Sequence, residues 1–296
     1  MGRYGTRNEK ETPDARMLKL PGESRYITVD GIRIHYVVAG EGRPVMLIHG
    51  LGASVVTWRD NIAALSQSHR VYAIDLPGHG DSAKPDIGYE PDAIVECIGK
   101  LVDELGIERP AIIGNSVGGA LAMMFAFRFP DLVSGLVLVG SAGLGREISL
   151  YIRLLSVPLI GTVLETFKIG GPKLMLANVF HDRSLATEEL ANELYRSRKM
   201  PGAREAVMRV IRNTVSIGGV REIFVFTDGL KRLKAPVMVV WGKQDKIFPA
   251  EHAYRASEAI EGAWVEVFDD CGHWPHMEKA NAFNSLVLRF LSETAV

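Results

Sequence analysis

Short apolar runs alternate with longer amphipathic stretches along this chain, and the alternation predicts its elements. The segment "YITVDGIRIHYVVAG" places an Asp30-Gly31 pair between two β-rich runs, which predicts a hairpin. Residues 45–48, 71–74, 111–113, 135–139, 237–241 and 265–268 are apolar at successive positions, as strands buried on both faces are. Helical periodicity is expected near 57–66, 91–105, 117–129, 250–260 and 279–292. Such strands separated by helices predict an α/β fold with a mostly parallel central sheet flanked by helices.

One interval breaks the rhythm. From 144 to 232 no strand is expected, only helical stretches punctuated by Gly161, the glycines at 170–171, Gly202 and the Gly218-Gly219 pair. Thr187-Glu188-Glu189-Leu190 is a helix start, with Thr187 as N-cap. An all-helical cap over 144–232 is therefore expected between the fourth and fifth parallel strands of a core formed by 25–143 and 233–296. Residues 1–24 are charged, lack the apolar stretch of a secretory signal and read as a surface-lying or disordered arm. The apolar run 154–164 is broken by Pro158 and Gly161 and is well short of the ~20 residues of a spanning helix, so no stable membrane insertion is expected.

The 296 residues are 47% hydrophobic, enough for a large core, and the formal net charge of −1 argues against electrostatic capture of nucleic acid. Cys97 and Cys271 fit no metal-ligand pattern and read as reduced thiols of a cytoplasmic protein, monomeric or homodimeric. No histidine–carboxylate cluster has metal spacing and no glycine-rich phosphate loop is present, so neither metal nor cofactor is expected.

The chemistry begins at "GNSVGG". Ser116 lies between the strand at 111–113 and a helix starting at 117, with Gly114 and Gly118 two residues away on either side. A strand-to-helix turn this tight crowds its neighbours, so the flanking positions must be small, and the turn presents the hydroxyl as a nucleophile. A serine needs a base and the base needs an orienting acid. His273 follows the last strand in "DDCGHWPH", and Asp245 follows the 237–241 strand in "WGKQDKIFP", both at carboxyl ends of strands. His276 is a rival base, and Asp269 and Asp270 are rival acids too close in sequence to His273 to reach its ring without straining the loop. Asp75, His79 and Asp81 in "DLPGHGDS" read as turn-building residues and His49 as a brace. An oxyanion hole is expected from the N–H of Val117 and that of Leu51, with Gly52 as the alternative, in "HGLGAS".

Taken together, "HGLG", "DLPGHGDS", "GNSVGG", "WGKQD" and "CGHWPHME" resemble the α/β-hydrolase superfamily over residues 24–296, and the order Ser116, Asp245, His273 is that of its triad. "GNSVGG" and "CGHW" are most similar to the branch of carboxylesterases and meta-cleavage-product (carbon–carbon bond) hydrolases. That resemblance implies a substrate pocket at Gly50, Gly52, Asn115 and Trp274. Two departures favour a small-molecule ester as substrate. The carbon–carbon hydrolases have a longer oxyanion loop than "HGLGAS", and Leu194 stands where their cap arginine is expected. Arg196 and Arg198 are near, but a two-residue offset on a helix points elsewhere. Leu150, Leu154, Leu155, Leu159, Phe167 and Met175 are expected to give the cap an apolar underside above Ser116. The alternatives are carbon–carbon hydrolysis of vinylogous diketo acids and ligand binding without turnover. Acyl transfer, including perhydrolysis, would use the same residues.

Overall fold

The computed structural model describes residues 19–166 and 172–294. Among the described residues ten strands run in chain order: β1 (Glu23–Val29), β2 (Ile32–Ala39), β3 (Arg43–Ile48), β4 (His69–Ile74), β5 (Ala111–Asn115), β6 (Gly135–Val139), β7 (Val215–Ser216), β8 (Gly219–Val220), β9 (Val237–Gly242) and β10 (Trp264–Phe268). Eight of them form one sheet in the order β1-β2-β4-β3-β5-β6-β9-β10. β2 is antiparallel to both of its neighbours, and every pair from β4 to β10 is parallel. Asp30 and Gly31 take φ of 48° and 80° at the β1–β2 turn, the left-handed pair that a two-residue hairpin needs.

The consecutive apolar positions are explained by two cores, one on each face of the sheet. Met46, Ile48, Ile112, Leu136, Leu138, Val239 and Trp241 point to one face, where they meet α2 (Pro91–Glu104) and α3 (Val117–Arg128). Val45, Leu47, Ile113, Val137, Val139 and Val240 point to the other, against α1 (Arg59–Leu65) and α11 (Ala280–Glu293). Each fully buried aliphatic side chain contributes about 1.5–3 kcal/mol, so both faces drive the same register.

Between β6 and β9 lie α4 (Leu150–Leu155), α5 (Pro158–Thr166), α6 (Pro172–Val179), α7 (Glu188–Arg198) and α8 (Ala203–Thr214). Thr187 caps α7 as expected, its Oγ1 accepting from Leu190 N at 3.2 Å. The all-helical expectation is corrected here, because β7 and β8 pair as a hairpin that turns at Ile217-Gly218. Val220 N donates to Arg146 O at 3.0 Å and docks the hairpin on the segment that leaves β6. The arm expected over 1–24 also ends earlier, since β1 begins at Glu23; residues 1–18 and Phe167 lie outside the described residues. No helix among the described residues is long and apolar enough to cross a membrane.

The remaining helices, α9 (Glu251–Ala259) and α10 (Pro275–Glu278), follow β9 and β10. Because β3, β5, β6, β9 and β10 are parallel, the loops after them all open on one edge, where such sheets bind ligands.

Candidate active site

Ser116 forms the turn from β5 into α3 with φ 57° and ψ −121°. Holding a non-glycine residue in such a conformation costs about 1–3 kcal/mol, so the surroundings must enforce it. Ser116 N donates to Val139 O and its carbonyl accepts from Ala142 N, both at 3.0 Å, which pins the turn to the end of β6. A Cβ at Gly114 would lie 2.3 Å from Gly118 O, and one at Gly118 would lie 2.3 Å from Ile48 O. Both contacts are with backbone that cannot yield. Gly118→Ala is therefore expected to destabilise the fold by about 1–3 kcal/mol or more, as overpacking does. A thermal melt unchanged by this substitution would contradict the steric account of the spacing.

His273 and Asp245 meet as the spacing anticipated. His273 Nδ1 donates to Asp245 Oδ2 at 2.7 Å, and Asp245 Oδ1 accepts from Ile247 N at 2.7 Å and Phe248 N at 3.1 Å. The aspartate side chain is fully buried and that of His273 is 4% exposed. A carboxylate only accepts, so the bond holds a proton on Nδ1 and leaves Nε2 as the basic nitrogen of the neutral ring. His273 is tied to the serine turn through Asn115, whose Nδ2 donates to Val139 O at 3.0 Å and His273 O at 3.4 Å. Gly140, with φ 50°, lets the ring approach: a Cβ there would be 3.1 Å from His273 Nδ1. Among the described residues Ser116 Oγ makes no hydrogen bond to His273. Serine–histidine contacts in catalytic sites are commonly long until substrate packs against them.

Other residues brace these loops. Gln244 N donates to Cys271 O, and Cys271 N donates to Gln244 Oε1. Glu278 accepts from Gly272 N at 2.8 Å and from Asp182 N at 2.7 Å, joining the histidine loop to the segment after α6. Gln244 and Glu278 stand inside quoted motifs and Gly140 in none, but only the crossing of distant loops shows these bracing tasks. The rival acids face solvent, with Asp269 on Lys243 at 2.6 Å and Asp270 beside His181. His276 is buried with its ring centroid 4.3 Å from that of Trp58, and burial lowers its pKa to about 3.

The loop after β3 carries Leu51, expected as an anion donor together with Val117. Among the described residues the backbone N–H groups of Leu51 and Val117 carry no hydrogen bond. A Cβ on Gly50 would lie 3.0 Å from Ser116 Cβ, so the loop and the serine turn are in close contact. His49 braces the loop: Nδ1 donates to Gly50 O at 2.7 Å and Nε2 accepts from Leu76 N at 3.1 Å. Burial holds the His49 ring neutral by lowering its pKa. Asp75 accepts from Val55 N, Asp81 N and His35 Nδ1 at 2.7–2.8 Å. His35, Asp75 and Asp81 bring donor atoms close enough for a metal ion, which the sequence did not anticipate. The Asp75 oxygens are already committed to those donors, and Asp81 is held in a bidentate pair with Arg196 at 2.8 Å.

A cavity opens beside Ser116, with Leu51, Val117, Leu121 and Phe248 on the core side and Ile148, Ile152, Val210, Ile211 and Val215 on the other. The leucines expected on that far wall are elsewhere. Leu150 and Leu159 are 61% and 83% exposed, and Leu155 packs against Val207 and Met208. Leu150 opens α4 two residues before Ile152, about 200° around the helix, which turns it to the other face. Gly50 and Asn115 adjoin the Ser116 turn and Trp274 follows His273, while Gly52 faces Arg198, and none of the four lines this cavity. Trp274 packs edge-on against Phe180 in a buried cluster with Leu194, Leu190 and Ala53. Arg198 departs from expectation. Four residues past Leu194, it shares that residue's face, and its guanidinium carbon would lie 3.6 Å from a Cβ on Gly52. Its Nη1 contacts Met175 Sδ at 3.2 Å, and it pairs with no carboxylate among the described residues.

Comparison with known proteins agrees with this architecture. An uncharacterized protein of Mycobacterium tuberculosis is 32% identical over 283 residues, 93% of this chain and 82% of that protein. The 2-hydroxy-6-oxo-6-(2'-aminophenyl)hexa-2,4-dienoic acid hydrolase of Metapseudomonas resinovorans is 32% identical over 275 residues, covering 92% of this chain and 91% of that protein. A structure of a meta-cleavage product hydrolase from Pseudomonas fluorescens IP01, a mutant complexed with acetates, superimposes with a TM-score of 0.76 at 30% identity, covering 95% of this chain and 99% of that one. The family described as alpha/beta hydrolase fold matches residues 43–280. With that span and those relatives, the chain belongs to the alpha/beta hydrolase fold family.

Proposed function

We propose that this protein is a serine hydrolase that cleaves carboxylic esters of neutral, largely apolar acyl groups through an acyl-enzyme. Ser116 Oγ attacks the ester carbonyl while His273 Nε2 takes its proton, and the N–H groups of Leu51 and Val117 receive the oxyanion. Collapse expels the alcohol, which takes the proton back from His273. Water, activated by the same nitrogen, then releases the acid. Asp245 keeps the ring in the working tautomer, and residues 144–232 act as a cap that closes the acyl chamber.

The observation that carries this reading is the cavity wall, which has no lysine, arginine, aspartate or glutamate among the described residues. Burying an unpaired carboxylate there costs several kcal/mol, whereas each added acyl methylene gains about 0.8 kcal/mol until the chamber is full.

A second reading, carbon–carbon hydrolysis of vinylogous diketo acids, is favoured by the relatives and by Arg198, a cation beside the oxyanion loop without a carboxylate partner among the described residues. The test compares kcat/KM for p-nitrophenyl butyrate and hexanoate with that for a 2-hydroxy-6-oxohexa-2,4-dienoate. The esters are expected to win by at least about 100-fold, the rate equivalent of several kcal/mol. A preference for the diketo acid that disappears in Arg198→Gln would establish the second reading instead.

A further inference from the structure

Helices α6 and α7 are joined to both catalytic loops. His273 N donates at 2.7 Å to Val179 O, at the end of α6, and a Cβ on the preceding Gly272 would lie 2.2 Å from that same oxygen. Leu190, Ala191 and Leu194 of α7 share one buried cluster with Val179, with Trp274 beside the base and with Ala53 of the oxyanion loop. Ala53 N donates to Gly50 O at 3.2 Å and closes the turn that carries Leu51. Where α7 sits therefore bears on the anion donor and on the base together.

Three charged groups fix where α7 sits. Arg196 Nη1 and Nη2 donate to the two carboxylate oxygens of Asp81, both at 2.8 Å, and its Nε donates at 2.9 Å to Glu193 Oε1, one turn earlier on α7. The side chains of Glu193 and Asp81 are only 7% and 13% exposed. Asp81 rides on a turn that is itself held. Its N–H donates to Asp75 Oδ2 at 2.8 Å, and Lys84 Nζ donates to Gly80 O at 2.8 Å and Ser82 O at 2.6 Å. A planar fork on a carboxylate sets orientation as well as distance. Without it, one carboxylate of the core and one of α7 would face each other with little water between them, and like charges there repel.

We propose that Arg196 is a positioning residue, whose fork on Asp81 seats α7 so that the Leu51 N–H and His273 stand where the reaction needs them. This rests on the acyl-enzyme reading above. Arg196 does not line the cavity, so its effect reaches the chemistry through the two loops.

The test is kcat/KM for p-nitrophenyl acetate, butyrate and hexanoate in the wild type, Arg196→Gln and Arg196→Lys. Seating of the loops matters equally to every ester, whereas a wall that only closes the chamber matters more as the acyl chain grows. Arg196→Gln is expected to lose roughly 10–100-fold, by the same factor at all three lengths, because misplacing catalytic groups by about 1 Å costs up to about 100-fold. Arg196→Lys keeps a charge between Glu193 and Asp81 but not the fork, so its loss should be smaller, about tenfold, and equally independent of length. Asp81→Asn added to Arg196→Gln should cost little more than either change alone, since both break one pair. If Arg196→Gln does not fold, Arg196→Lys decides by the same criteria. Activity within about twofold of the wild type at every length, or a loss that grows from acetate to hexanoate, overturns this proposal and leaves the ester reading intact. If the wild type hydrolyses none of the three esters, the ester reading falls, and the rate at which a fluorophosphonate labels Ser116 decides the role of Arg196 by the same loss. Absence of labelling as well overturns both.

Discussion

Ser116→Ala should lower kcat by about 10⁶-fold while leaving the thermal midpoint near that of the wild type. Removing the nucleophile of a serine triad costs about this much because its members act as one unit. The fold should tolerate the change, since the turn is held by backbone bonds at Ser116 N and O rather than by its hydroxyl. Alanine at φ 57° is no more strained than serine, and it removes an oxygen from a site that is 8% exposed. A fluorophosphonate should label the wild type at Ser116 and leave the variant unlabelled. Peptide mapping that finds the label on another serine would withdraw the assignment.

The parts of the fold legible in the sequence are those where one physical constraint dominates. β3, β5, β6 and β9 are buried on both faces, so nearly every position must be apolar and the strand shows as a continuous run. The β7–β8 hairpin was not legible because two residues per strand are too few for alternation to register. Its docking on Arg146 O decides its conformation, and that is a tertiary contact.

The candidate site divides along the same line. Gly114 and Gly118 are visible because a covalently local turn demands them, and Asp245 and His273 because parallel strands deliver their loops to one edge. Side-chain direction was less accessible. Counting leucines in the segment after β6 identified an apolar layer but not its phase, and Ile148 and Ile152 face the cavity while Leu150 faces solvent. For Arg198 the phase itself was misjudged. It stands four residues from Leu194, a full helical turn, and so lies on the same side. His79 lies in the turn after β4, and that its Nδ1 meets Pro77 O while Nε2 is buried without a partner shows only once the turn is folded.

Asp245→Asn is the sharpest test of how the base is set, because the structure dictates which way the amide must lie. The oxygen at Oδ1 accepts from both Ile247 N and Phe248 N, so the asparagine oxygen must occupy that place and the amide nitrogen must face His273. An N–H there can only donate. His273 Nδ1 then becomes the acceptor, its proton moves to Nε2, and the nitrogen that should take the Ser116 proton is already occupied. The fold keeps its three hydrogen bonds while catalysis loses its base, and kcat is expected to fall roughly 10³–10⁴-fold at an almost unchanged thermal midpoint. Asp269→Asn is the control, as it touches only Lys243 at the surface and should leave kcat within about twofold, as surface pairs far from the chemistry do. If Asp269→Asn or Asp270→Asn caused the larger loss at equal stability, the orienting acid would be in the histidine loop and the buried pair would be structural.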